Sequence, residues 1–109
     1  MIIVKITMQA LPEKRNEVYL TLLSLIESIR EEKGCTGYQV FQDLEDENIF
    51  CLVVKWNTRE DLERHMKSDV FGVLLGAKIL LNRQQDIQIH TVLLTEGKEA
   101  VDSVRGQIF

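Results

Sequence analysis

The chain has 109 residues, 45% of them hydrophobic and 28% charged, and a formal net charge of −4. This length is a prior for one domain, and the composition is that of a globular chain rather than a disordered one. The negative balance, with no Lys/Arg cluster to break it, argues against a nucleic-acid partner held through counterion release.

The N-terminal "MIIVKITMQALPEK" has neither a basic n-region nor a small-residue cleavage site, so it is not expected to be a signal peptide. The longest apolar run, "VFGVLLGAKILL", is interrupted by glycines and a lysine and falls short of the ~20 residues of a membrane span. Cys35 and Cys51 are isolated, with no metal-ligand spacing around them, and two are too few for a disulfide framework. The expectation is a cytoplasmic protein with reduced thiols. It forms one domain over residues 1–109, with a core of about 1–95 and a C-terminal tail of 96–109.

In chain order, "IIVKITMQ" alternates as a strand, with Ile2, Val4, Ile6 and Met8 on one face. The period then changes. Val18, Leu22, Leu25, Ile26 and Ile29 recur at helical spacing and predict an amphipathic helix over residues 12–33. Pro12 suits its first turn, Glu13 the positive end of its dipole, and Gly34 a C′ stop. "TGYQVFQDL" and "NIFCLVVKW" are two strands joined through the acidic turn "EDEN".

Thr58 is placed to cap the next helix, with Asp61 at the N3 position of a capping box. Ser68 before Asp69 predicts a second cap, so the helix breaks and restarts as "DVFGVLLGAKIL". "DIQIHTVLLT" closes the pattern as a strand, and the tail allows at most a short helix. The order βαββαβ is the ferredoxin-like α+β pattern, in which two helices cover one face of a four-stranded antiparallel sheet. Cys51 and Val53 on one strand, and Val92 and Leu94 on another, leave the far face partly apolar. Two helices cannot cover both faces, so a homodimer with sheet packed on sheet is expected.

From Glu31 to Phe71 the chain resembles the antibiotic biosynthesis monooxygenase (ABM) domain family. The residues that carry the likeness are Gly34, Cys35 and Tyr38 at a strand entry, Trp56 at a strand end, and His65, Ser68 and Phe71 in "H-x-x-S-x-x-F". The resemblance implies a dimeric α+β barrel. It includes cofactor-free monooxygenases of quinol-like or polyketide aromatics, haem-degrading enzymes, enzymes of small signalling molecules, and members without known activity, so fold alone does not decide function. Two departures stand out. Val54 occupies a position where a glutamate is frequent, and the first strand lacks the asparagine of haem-degrading members.

Each candidate residue has two readings. Trp56 is either a core tryptophan under a helix or a pocket wall that stacks on a flat ligand. His65 is either a satisfied structural histidine or a general base for a phenolic proton, suited by an ordinary pKa of ~6.5. Tyr38 either orients substrate through its hydroxyl or is a plain strand aromatic, and His90 belongs on the face opposite Ile87 and Ile89. On the enzyme reading His65 is catalytic, Tyr38, Trp56 and Phe71 bind substrate, and no metal or cofactor is called for. The alternatives are a non-catalytic small-molecule-binding or assembly module on the same barrel, and a haem-binding member with His65 as axial ligand.

Overall fold

The computed structural model describes residues 1–106. Strand β1 (Ile2–Gln9) leads through a single 3₁₀ turn (Pro12–Lys14) into helix α1 (Arg15–Arg30). Strands β2 (Cys35–Gln42) and β3 (Ile49–Trp56) form a hairpin, followed by helices α2 (Arg59–Met66) and α3 (Asp69–Gly76). A second 3₁₀ turn (Ala77–Leu80), strand β4 (Asp86–Thr91) and helix α4 (Lys98–Arg105) complete the chain. The strands lie in the order β2-β3-β1-β4, all neighbours antiparallel, which is the ferredoxin-like arrangement.

Alternation decides the layers. Ile2, Val4, Ile6 and Met8 pair directly with Trp56, Val54, Leu52 and Phe50, and all eight are buried. Tyr38 and Val40 extend the same face onto β2. Val18, Leu22, Leu25 and Ile29 of α1, with Leu62, Phe71 and Leu74, join these strand residues in one core. Both helical segments therefore sit on one face of the sheet. The other face carries Ile3, Lys5, Cys51, Val53, Lys55 and His90, and no helix among the described residues covers it. His90 pairs with Ile3 there and is exposed.

The expected ends of three elements shift. The first helix ends at Arg30 rather than near residue 33, and Gly34 is not its C′ residue. Gly34 instead sits in the following turn at φ +84°. The strand expected over "DIQIHTVLLT" stops at Thr91, which pairs with Ile2 at the start of β1; one further bond runs from the Val92 N–H to the Met1 carbonyl (2.9 Å), and no other described backbone pairs with the segment after it. The segment expected to continue from Asp69 to Leu80 tightens into the 3₁₀ turn after Gly76. Residues 107–109 of the expected tail lie outside the described residues, while Lys98–Arg105 are helical.

The caps hold as read. Thr58 Oγ1 accepts from the Asp61 N–H (3.1 Å) and Ser68 Oγ accepts from the Phe71 N–H (3.2 Å), so α2 and α3 are separately started helices. Asp43 Oδ2 accepts from the Glu45 and Asp46 N–H groups (2.9 Å each), which closes the acidic hairpin turn.

Candidate active site

The sheet delivers Trp56 and α2 delivers His65. Trp56 is the last residue of β3, on its helix-facing side, with relative exposure of 0%. Its partner across β2 is Cys35, and an extra residue, Thr36, is bulged out before pairing resumes at Gly37 and Lys55. Such bulges re-aim the side chains at a strand end. On α2, Asp61, Leu62 and His65 face inward, the three inward positions expected at helical spacing.

The rings of Trp56 and His65 stack, with centroids 4.7 Å apart and planes inclined by 29°. Phe71, the third residue of α3, meets His65 edge-on at 5.2 Å and 77°. His65 is 4% exposed. Its Nδ1 lies 2.8 Å from Glu32 Oε2, on the turn after α1, and no hydrogen bond joins Nε2 to a described residue. The indole Nε1–H of Trp56 is likewise buried without a hydrogen-bond acceptor among the described residues. An orphaned buried donor of this kind costs about 1–3 kcal/mol, which makes it exceptional in a folded chain.

Tyr38 stands apart from this group. Its hydroxyl donates to the Leu22 carbonyl of α1 (3.4 Å), and burial pushes its pKa up to about 12, so it stays a neutral donor. Of the four residues singled out from the sequence, three come into ring contact and Tyr38 does not join them. Glu32 was not foreseen. It lies 33 positions from His65, and no periodicity or motif links them.

A buried imidazole with a carboxylate on one nitrogen and an aromatic face beside it is suited to exchanging a proton with a flat ligand. Among the described residues no group of three His, Cys, Asp or Glu side chains is placed to hold a metal ion.

The family model of the antibiotic biosynthesis monooxygenases matches residues 1–74. The chain belongs to this ABM family. The matched region runs from β1 into α3 and so contains Glu32, Trp56, His65 and Phe71. A Bacillus subtilis protein named "Putative monooxygenase YcnE" is 30% identical over 88 residues, covering 80% of this chain and 93% of that one. A conserved protein of Methanosarcina mazei Go1 superposes with a TM-score of 0.77 at 32% identity, covering 82% of this chain and 89% of the other. Rv0793 of Mycobacterium tuberculosis shares the fold, with a TM-score of 0.81 at 20% identity over 88% of this chain and 98% of its own. For the ABM chain described here these likenesses agree with the ferredoxin-like topology.

Proposed function

We propose that this ABM protein is a homodimeric, cofactor-independent monooxygenase of a small phenolic or quinol-like aromatic, with His65 as general base. One observation carries the reading: a buried imidazole stacked on Trp56, with one nitrogen held by a carboxylate and an unpartnered indole N–H beside it. The Nε2 lone pair takes the phenolic proton. The electron-rich anion passes one electron to dioxygen, and the radical pair recombines at a ring carbon bearing hydrogen. The resulting peroxide loses water and leaves a carbonyl oxygen on the ring. One oxygen atom enters the product, the other departs in water, and the substrate supplies all four electrons.

Each residue has its task in that sequence. Trp56 stacks on the flat ring, and its Nε1–H donates to a second substrate oxygen, which satisfies the orphaned donor. Phe71 walls the site and keeps water from the anion. The net charge of −4 and the reduced thiols fit a cytoplasmic protein that acts on a small molecule rather than on nucleic acid.

One observation favours a second reading, a non-catalytic binding or assembly module. The Phe71 ring lies directly against His65, where a substrate would approach. Oxygen uptake with a panel of hydroquinones and polyhydroxylated aromatics, without added cofactor, separates the two. The monooxygenase reading expects uptake above the autoxidation blank that His65→Gln lowers by about 10²-fold or more, in a variant with unchanged circular dichroism and mass. Equal uptake by His65→Gln, or none above the blank, would favour the module.

A further inference from the structure

The contact between Glu32 and His65 joins the turn after α1 to helix α2. Glu32 belongs to the turn between α1 and β2, and His65 to the last turn of α2. The turn is closed by two backbone bonds, from the Glu32 N–H to the Ile29 carbonyl and from the Cys35 N–H to the Glu32 carbonyl, both 3.1 Å. It is docked on α2 through a different residue. Gly34, at φ +84°, presents a bare Cα to Asp61, whose carboxylate occupies the space a Cβ would need. The Asn57 N–H adds a bond to the Gly34 carbonyl at 2.8 Å.

The turn is thus gripped twice by one helix face. Asp61 and His65 are four residues apart on α2 and point the same way. Asp61 receives Gly34 and His65 receives Glu32, two residues earlier in the turn. The Asp61 carboxylate is itself fixed by Arg64 Nη1 and Thr58 Oγ1, each at 2.9 Å. Glu32 is therefore brought to His65 by a set contact and does not reach it as a mobile surface side chain. It is also only 24% exposed.

Chemistry then assigns the proton. An ionised carboxylate only accepts, so the ring nitrogen facing it must carry the hydrogen. In a neutral imidazole the other nitrogen is then the bare one. We propose that Glu32 is a positioning residue that fixes His65 as the Nδ1–H tautomer and orients its ring, so that Nε2 presents the lone pair to substrate. This rests on the assignment of His65 as the base. Glu32 takes no proton and does not touch the substrate. It holds the imidazole before transfer and stabilises the imidazolium that follows, as the orienting group of a catalytic triad does. A carboxylate that only tied the turn to the helix would hold the same tautomer through the same bond, but its loss would lower stability and leave turnover of the folded variant unchanged.

Ring-nitrogen NMR of the full ¹⁵N-histidine-labelled chain tests this, with His65 assigned against His65→Gln and the spectra taken at about pH 8, where a free histidine is neutral. The expected result is a protonated Nδ1 and a bare Nε2 in the wild type. In Glu32→Ala the balance should move toward Nε2–H, with turnover of a quinol down at least tenfold and KM within about twofold, the pattern of an interaction made in the transition state. Glu32→Asp, which draws the carboxylate back by one methylene, should change in the same direction and serves if Glu32→Ala does not fold. A wild-type ring in the Nε2–H form, or the same tautomer in wild type and variants, would overturn the proposal. A tautomer that responds to Glu32 alongside undiminished turnover in His65→Gln would instead overturn His65 as the base and leave the positioning intact.

Discussion

At Gly34 the backbone and a neighbouring carboxylate together exclude a side chain. The positive φ alone costs a non-glycine residue about 1–3 kcal/mol, and a Cβ would also displace Asp61. Gly34→Ala is therefore expected to lower the unfolding free energy by at least that much in urea denaturation, and to loosen Glu32 from His65. The hydrogen bonds from Arg64, and then that from Thr58, hold the Asp61 carboxyl below its usual range. A carboxyl so lowered adds stability above the unfolded value of ~3.9, and the contribution is lost as pH falls through the folded value. Asp61→Asn should thus be less stable than wild type at neutral pH, with the gap closing below about pH 4. A gap of constant size from neutral pH down to acid would contradict this. At this scale Trp56 and His65 were legible, because a lone tryptophan at a strand end and a histidine on an inward helix face are visible in the pattern. Gly34 was legible as a glycine that mattered but was given the wrong task, since its need arises from Asp61, 27 positions away. Glu32 was not legible at all: in "REEKG" nothing distinguishes it from Glu31, and only the turn decides which of the two meets the helix.

The elements around the site are short and individually capped, and Phe71, near the start of α3, meets the His65 ring edge-on. Ser68→Ala removes the cap that starts α3 and should cost about 1 kcal/mol by urea denaturation. It should also free Phe71, so the edge-on contact with His65 ought to weaken in ring-proton NOE spectra. An unchanged contact would mean that core packing, and not the cap, holds α3. The break between these helices could be read from Ser68 and Asp69 because capping is local chemistry. The extent of β4 could not be read, because "DIQIHTVLLT" is a good strand sequence throughout and its end falls opposite the start of β1.

Across the whole molecule, the sheet has one finished face and one bare face. Ile3, Val53 and Cys51 stand on the bare side among Lys5, Lys55 and His90, and the sequence signalled this through strands apolar on both sides. Beyond β4 the chain also leaves apolar groups in water, with Leu93 93% and Val104 89% exposed. A second copy covering the bare face is the assembly expected here. Sedimentation velocity should give about twice the 12.6 kDa chain mass, and Val53→Asp, which puts a charge in the middle of that face, should halve it. A wild-type chain that stays monomeric at tens of micromolar would contradict the dimer.

The most direct test of the site uses the fact that the chain has a single tryptophan. The indole N–H of Trp56 gives one resonance in a ¹H–¹⁵N correlation spectrum, from a donor that has no acceptor within the described protein. Titration with a quinol should move that resonance downfield and saturate, as the N–H takes a substrate oxygen. The same aromatic without its oxygens should leave it in place. An indole signal that ignores every quinol, while backbone signals elsewhere shift and saturate, would place the ligand away from Trp56 and His65 and contradict the account.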